Sequence, residues 1–307
     1  MTGSAGGGRW VIPEESGRSP LDRALRGLLG GESWGKVRRL IETGKIRLDG
    51  EVVREATRPT RPGQTIELSL SAPRAPENRL DDGVIAYVDA HLVVVHKPAG
   101  ISTVPYDENE RGTLSELVMN LLKRRDGGRR GEIGVVHRLD KETSGLLLFS
   151  RTLAAKRELK NQFRFHTVKR RYWAIAHGAV RSTTLASRLV ADRGDGLRGS
   201  TDNPRLGQEA TTHVRALEPL RGATLVECRL ETGRTHQIRI HLSEAGHPVL
   251  GERVYVRRFE GPLLAAPRVM LHAFELGFEH PVTRAPLRFE SAMPEDMNRV
   301  LAGLRAR

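Results

Sequence analysis

Hydrophobic residues near the N-terminus recur at helical spacing. Leu21, Leu25 and Leu28 fall on one face of the segment SPLDRALRGLLG, which predicts a helix with Ser19 as its N-cap and proline at its first position. The segment ESWGKVRRLIETGKI repeats the helical spacing and ends at a glycine, which predicts a second helix. In KIRLDGEVV, two short apolar runs flank Asp-Gly, a dipeptide typical of a tight hairpin turn. Residues 19–70 therefore predict a compact unit of two helices and a hairpin.

Strand patterns dominate from residue 82 onward. Apolar runs or alternations predict strands in VIAYVDAHLVVVHK, GVVHRLD, GLLLFS, KRRYWAIAHG, ATLVECRLE, MLHAFELGFEHP and PLRFES. Helical spacing is found in TLAAKRELKNQF and in THQIRIHLSEAGHP, where Thr235 is the expected cap. Because strands outnumber helices and do not alternate strictly with them, we expect an α+β fold with a central mixed or antiparallel sheet flanked by helices.

Changes in composition predict where the domains begin and end. Residues 1–18 are rich in glycine and turn formers, which predicts a flexible tail. Residues 71–81 are rich in proline and charge, which predicts a linker. The small unit at 19–70 and a large domain at 82–307 lie on either side of that linker.

The charge of the chain narrows the choice of partner. The 50 Lys and Arg residues outnumber the 37 Asp and Glu residues, which gives a formal net charge of +13. An excess of this size favours a polyanionic partner, above all a nucleic acid. Cys228 is the single cysteine, so a disulfide framework and a cysteine-based zinc site are excluded. No apolar stretch has the length of a signal peptide core or a membrane span, so we expect a cytoplasmic protein that does not contact membranes.

Part of that positive charge is concentrated in the small N-terminal unit. Two helices and a hairpin with this much charge suggest an RNA-binding module, and the alternative is a solvated charged face. The residues expected to bind RNA are Lys36, Arg38, Arg39, Lys45 and Arg47.

The segment GVVHRLDKETSGLLLFS places charges between two apolar runs. Arg138 and Asp140 are two residues apart, so in a continuing strand both side chains would project to the same side, into a cleft. The alternative is that Asp140 only caps the turn that follows. His137 has no Cys or Glu neighbour at ligand spacing, which argues against a metal site.

Five ordered segments resemble those of one enzyme family. HRLDKETSGLLLFS resembles the signature of the RluA family of pseudouridine synthases. VVVHKPAGISTVP, LKNQFRFHTVKRRYWAIAHG, LETGRTHQIRIHLSEAGHPVLGE and LHAFELGFEHPVT resemble its other motifs, in the same order. The resemblance spans about residues 82–295. The upstream stretch GKVRRLIETGKIRLDGEVV resembles the alpha-L RNA-binding domain of ribosomal small-subunit protein four, which implies contacts to the shape and backbone of structured RNA.

The resemblance implies a role for each matching residue in converting uridine to pseudouridine. Asp140 matches the catalytic aspartate, and Arg138 matches the arginine that enters the space left by the flipped base. Tyr172 matches the tyrosine that stacks on uracil, Arg239 the arginine that pairs with the aspartate, and Ile238 the apolar wall of the pocket. Three further residues of the third motif are expected to contact the substrate: Arg234, His236 and Gln237.

These roles imply an enzyme that needs neither cofactor nor metal. We expect it to act as a monomer on structured RNA, namely large-subunit (23S) ribosomal RNA or a pre-ribosomal particle, with transfer RNA as the alternative substrate. A non-catalytic RNA-binding factor of ribosome assembly is the other alternative, but such a protein would be expected to lose Asp140, Tyr172 or Arg239. Whether Asp140 attacks the sugar, attacks the base or assists elimination stays open at this point.

Overall fold

The boundary between two structural units falls between Arg79 and Leu80. This computed structural model describes residues 7–14, 19–72, 80–106, 110–128, 132–256 and 259–305. Residues 73–79 of the expected linker lie outside these ranges. The large unit begins two residues earlier than predicted, because Leu80 is buried in its core and its carbonyl accepts a hydrogen bond from Arg124.

The described part of the N-terminal unit is a four-stranded antiparallel sheet with two helices. Its elements are β1 (Gly7–Val11), α1 (Leu21–Leu28), α2 (Trp34–Glu42), β2 (Ile46–Leu48), β3 (Glu51–Val52) and β4 (Thr65–Ser69). The strand order is β1-β4-β2-β3. The predicted hairpin is confirmed: Asp49 and Gly50, with φ of 51° and 83°, form the turn between β2 and β3. Leucine, isoleucine and valine side chains from both helices and the sheet form a closed core.

Two predictions for the start of this unit are wrong. The expected tail contains β1, which pairs with β4 through Trp10 and Ile66, while residues 1–6 and 15–18 lie outside the described ranges. Ser19 does not cap α1, because Pro20 has extended backbone angles and pairs with Pro59, so that Pro20 becomes the residue at the cap position.

The second unit is built on a large mixed sheet. In the described residues its strands are β5 (Ile85–Val88), β6 (Leu92–Lys97), β7 (Gly134–Val135), β8 (Ser144–Ser150), β9 (Lys169–His177), β10 (Thr183–Val190), β11 (Gly199–Thr201), β12 (Gln208–Leu220), β13 (Ala223–Leu230), β14 (Leu271–Glu279) and β15 (Pro286–Glu290). Its helices are α3 (Leu114–Arg125), α4 (Leu153–Arg164), α5 (Gln237–Glu244) and α6 (Glu295–Arg305). The order β11-β10-β12-β13-β9-β14-β8-β6-β5, with β15 on β14 and β7 on β8, confirms the predicted α+β fold.

Strand β8 explains why the run GLLLFS is apolar at every position. Leu147 and Phe149 pack into the core on one face of the sheet, while Leu146 and Leu148 pack into a second cluster on the other face. Since alternate side chains of a strand point to opposite faces, a strand covered on both sides must be continuously apolar.

Strands β8 and β14 form the one parallel pair among the described strands. Gly145 permits this pairing, because a Cβ atom at this position would lie 2.2 Å from the carbonyl oxygen of Ala273, and its φ is +115°. Within the ranges described, no helix is long and apolar enough to cross a membrane.

Candidate active site

The charged segment between the two apolar runs is a loop rather than a continuing strand. Strand β7 ends at Val135, and the side chain of His137 then replaces the backbone ladder: its Nε2 accepts the N–H of Leu148 at 3.0 Å. Burial, together with a nearby arginine, lowers the pKa of His137 to about 3, so the ring stays neutral. The prediction that Arg138 and Asp140 project from one continuous strand is therefore wrong.

Two buried side chains hold the backbone of this loop. The Thr103 hydroxyl donates to the carbonyl of Leu139 at 2.8 Å and accepts its N–H at 3.1 Å. The Lys97 ammonium donates to three carbonyls, two of them those of Lys141 and Thr143 at 2.9 and 2.7 Å. Burial lowers the pKa of Lys97 to about 7, although the carboxylates of the loop oppose this shift. The backbone on both sides of Asp140 is thereby fixed.

The carboxylate of Asp140 lines a cavity of about 400 Å³ and its side chain is 14% exposed. Its Oδ2 lies 3.6 Å from Nη1 of Arg239, and its Oδ1 lies 3.9 Å from Nε2 of His236. Burial lowers the pKa of His236, so its ring is neutral at pH 7. The cation that faces Asp140 is therefore Arg239, the arginine that the family resemblance places beside it.

Arg239 is held by a second carboxylate. Its Nε and Nη2 donate to Glu252 at 2.6 and 2.8 Å, and Glu252 also accepts the N–H of Val254 at 2.9 Å. Burial, the largest influence, raises the pKa of Glu252, but the bonds and charge of Arg239 together with the N–H groups of Val254 and Tyr255 bring the net pKa below the ordinary value. The guanidinium lies over the ring of Tyr255, 5.3 Å from its centroid, and the Tyr255 hydroxyl is 2.6 Å from Nδ1 of His236. The position of Arg239 is thus set by Glu252 and by the ring of Tyr255.

The turn into α5 places the third motif beside Asp140. His236, at φ 58°, lies in the left-handed region at the cap position, so the prediction of Thr235 as the cap is wrong. The amide of Gln237 closes the turn: its oxygen accepts the N–H of Arg234 at 3.0 Å and the hydroxyl of Thr232 at 2.8 Å. Its nitrogen donates to two oxygens of β12 at 3.0 Å each. Gln237 therefore stabilises the turn, and its contact with RNA stays a prediction.

Apolar side chains form the other wall of the cavity. Tyr172, in the middle of β9, and Ile238, in α5, are both buried and line the cavity together with Leu230 and Leu271. Burial raises the pKa of Tyr172, although the charge of Arg170 opposes the shift. Its phenol is therefore neutral at pH 7 and presents a flat aromatic surface.

The mouth and sides of the cavity are cationic. Five arginines and three histidines line it: Arg138, Arg164, Arg170, Arg234 and Arg239, with His137, His166 and His236. Among the described lining residues, Asp140 is the one carboxylate. In the part of the chain that is described, no group of three His, Cys, Asp or Glu residues is placed to hold a metal ion. The cavity suits an anionic substrate whose reacting part is flat and polar.

Sequence reasoning missed four residues that hold this site: Lys97, Thr103, Glu252 and Tyr255. Lys97 and Thr103 act on the backbone of a loop about forty residues away, which no local pattern reveals. Glu252 could have been found from the sequence, because it directly follows the apolar run PVLG, and a charge beside a buried apolar run indicates a specific role, as it does for Asp140.

The basic residues expected to bind RNA lie in α2, in β2 and in the turn between them: Lys36, Arg38, Arg39, Lys45 and Arg47. Several have partners inside the unit. Arg38 donates to the buried Asp22 at 3.0 Å, and Lys45 donates to the carbonyl of Leu70 at 3.0 Å. Arg39 and Arg47 are exposed, so their charges face the solvent. Their contact with RNA stays a prediction.

Comparison with known proteins identifies the family. A family model described as RNA pseudouridylate synthase matches residues 91–244. Ribosomal large subunit pseudouridine synthase D of Zymomonas mobilis is 36% identical over 294 residues, which cover 90% of this chain and 91% of that protein. The protein of the same name from Xylella fastidiosa is 35% identical over 314 residues, covering 96% of this chain and 92% of that one.

The fold agrees with this result. The structure of human RNA pseudouridylate synthase domain containing 4 superposes with a TM-score of 0.60 at 24% identity, covering 72% of this chain and 92% of that one. The resemblance of the five motifs, the family match and the fold all agree. The chain belongs to the RNA pseudouridylate synthase family and is an RNA pseudouridine synthase of the RluA type.

Proposed function

We propose that this enzyme converts uridine to pseudouridine in the RNA of the large ribosomal subunit. The observation that carries the catalytic part is the carboxylate of Asp140, faced by a buried arginine in an otherwise cationic cavity. The choice of RNA is supported by two relatives, each aligned over at least nine-tenths of this chain, whose names specify the large subunit. We propose that the enzyme acts as a cytoplasmic monomer of 34.1 kDa.

The reaction requires the target uridine to leave its stack, because the cavity reaches the base and its sugar only after extrusion. Extrusion costs a few kcal/mol. Arg138, exposed at the rim of the cavity, fills the space that the base leaves and so offsets part of this cost. The extruded uracil lies against the flat face of Tyr172, with Ile238 as the apolar wall.

Asp140 acts on the extruded nucleoside. Carboxylates are the usual protein groups that attack or stabilise a reacting sugar carbon. The bond from C1′ of the ribose to N1 of uracil breaks, the base turns, and C1′ bonds to C5. The proton leaves C5, and N1 gains one, so the overall change is an isomerisation. Arg239 keeps the carboxylate in the reactive position, since Glu252 prevents the guanidinium from moving.

We also propose that the N-terminal unit is an alpha-L RNA-binding domain. Its order of two helices followed by a hairpin and its exposed Arg39 and Arg47 support this assignment. Replacing both residues (Arg39→Gln with Arg47→Gln) should weaken RNA binding and reduce the slope of log affinity against log salt by about 2, one for each lost phosphate contact. Arg299→Gln, an exposed arginine of α6, serves as the control. An unchanged slope would show that the two arginines do not contact phosphates.

Pseudouridine mapping tests the function in cells. The RNA of a strain that lacks the gene is compared with that of strains complemented by the wild type or by Asp140→Asn, which keeps the size of the side chain and removes its charge. We expect sites in large-subunit ribosomal RNA to disappear and to return only with the wild type. Sites lost from transfer RNA alone would contradict the ribosomal assignment. Restoration by the Asp140→Asn protein would contradict the role of the carboxylate.

A further inference from the structure

An exposed phenylalanine lies next to the mouth of the catalytic cavity. Phe165 follows the last residue of α4, and its side chain is 65% exposed. The residues on both sides of it, Arg164 and His166, line the cavity, as does Phe163 two positions earlier. Single apolar residues are common on protein surfaces. Its location, between two residues of the cavity lining, one of them the cationic Arg164, distinguishes this one.

Phe165 is paired with a cation that also faces the cavity. The guanidinium of Arg164 lies over its ring, 4.7 Å from the centroid. The two side chains are therefore in contact and present an aromatic ring and a guanidinium group together. Because Arg164 is part of the cavity lining, this unit is continuous with the site where the uridine is converted.

The backbone holds this pair in a fixed turn. The N–H of Phe165 donates to the carbonyl of Asn161 at 2.8 Å, and the N–H of Thr167 donates to the carbonyl of Gln162 at 3.1 Å. His166, at φ 58°, is in the left-handed conformation that ends many helices. The exposed ring is thus presented on a closed helix end, and its position costs the chain little entropy on binding.

The surroundings indicate what binds there. Lys160 and Lys169 are exposed on the adjoining parts of α4 and β9. His213 bonds to the nearby carboxylate of Glu231 at 2.5 Å, and this bond, with a smaller contribution from His166, lowers the pKa of Glu231. An apolar protein segment would gain contact with the ring but not with these cations. Unpaired nucleotides match both features, because bases stack on aromatic and guanidinium planes while their phosphates contact cations.

We propose that Phe165 and Arg164 form a stacking platform for an unpaired base of the RNA that neighbours the extruded uridine. This rests on the proposed function and adds a property of its substrate: the target uridine lies in a segment with at least one unpaired neighbour. The platform holds the strand at the mouth of the cavity while the uridine is inside it.

The test uses the full-length enzyme and a synthetic fragment of large-subunit ribosomal RNA that the wild type converts. Stacking of one base on an aromatic residue corresponds to about 5-fold to 140-fold in affinity, so Phe165→Ala should raise the Kd by a factor in this range. Phe165→Trp, which keeps an aromatic plane, should restore the affinity. Leu153→Ala is the matched control, because Leu153 is a 77% exposed apolar residue at the other end of the same helix and does not line the cavity.

A second measurement identifies the base. Abasic substitutions placed one at a time beside the target uridine should weaken binding to the wild type at one position, and at that position Phe165→Ala should cause no further loss. If Phe165→Ala binds as tightly as Leu153→Ala, or if its loss is the same with every abasic RNA, the platform is refuted. If the wild type forms no pseudouridine in any large-subunit fragment, the proposed function fails, whatever the Kd values are.

Discussion

Replacing Glu252 by glutamine removes the charge from the most enclosed ion pair of the catalytic cavity. The side chain of Glu252 has no exposed surface and that of Arg239 is 8% exposed. In the wild type the guanidinium of Arg239 donates two short bonds to Glu252, at 2.6 and 2.8 Å. Glutamine has nearly the same shape as glutamate but offers a single acceptor oxygen. Breaking a buried ion pair in this way costs about 3–5 kcal/mol, because one buried charge is left uncompensated. Asp140, at 3.6 Å, is the remaining carboxylate near Arg239 and compensates only in part.

This free energy is large enough for a simple assay. For a unit of this size, each kcal/mol lowers the Tm by about 2–4 °C, so Glu252→Gln should lower the Tm of the large unit by about 6–20 °C. Activity should also fall, because the released guanidinium shifts toward Asp140. A displacement of about 1 Å near the reacting groups can reduce the rate about 100-fold. Both effects are measured on the same protein samples, by thermal unfolding and by pseudouridine formation at saturating RNA.

The control is Glu290→Gln, which removes the same charge from a residue that is 63% exposed and pairs with Arg288. Exposed pairs contribute at most about 1 kcal/mol, so this variant should unfold within a few degrees of the wild type. If Glu252→Gln unfolds at the same temperature as Glu290→Gln and keeps full activity, then Glu252 does not hold Arg239 in place.

Two further predictions concern buried titratable residues beside the catalytic loop. Lys97→Met leaves the carbonyls of Lys141 and Thr143 in the loop without their donor. We therefore expect kcat to fall, while the Kd for RNA stays near that of the wild type. An unchanged kcat would show that the loop is rigid without Lys97. Burial lowers the pKa of His137 to about 3 and that of His272 to about 4, below the 6.5 of the unfolded chain. The unfolded state therefore binds more protons below pH 6.5, and the free energy of unfolding should fall as the pH drops from 6.5 toward 4. Urea denaturation at several pH values measures how steeply the free energy of unfolding falls with pH. The fall should be smaller in the double variant His137→Gln with His272→Gln, and an equal fall in that variant would contradict the prediction.

The spacing of apolar residues along the chain predicted those helices and strands whose buried side chains recur at a regular interval. Strand β8 is covered on both faces and reads as a continuous apolar run, and α4 has a buried stripe at Ala155 and Leu159. Strand β1, with the sequence GGRWV, has two glycines and no such period, and it forms because β4 offers it an edge to pair with. The edge of β4 is available only in the folded unit, so no local sequence pattern predicts that residues 7–11 form a strand.

The active site shows the same division. Asp140, Tyr172 and Arg239 were identified because each lies in a motif whose residues resemble a family, and the structure brings all three to one cavity. The strand predicted through Asp140 is a loop, because the side chain of His137 competes successfully with the backbone for Leu148. Contacts between a side chain and a distant backbone group have no periodic signal, and they are what fixes this site.

The two carboxylates around Arg239 have different tasks, and their distances show why. Glu252 accepts two short bonds and is sealed from solvent, so it fixes the position of the guanidinium. Asp140 lies 3.6 Å from the third nitrogen, beyond hydrogen-bond distance, and keeps some exposure to the cavity. An arginine with Asp140 as its sole partner would bind it through two nitrogens and so occupy the oxygens that, in the proposed reaction, reach the substrate. Because Glu252 takes that bidentate position, Asp140 is left available for the role that we propose for it.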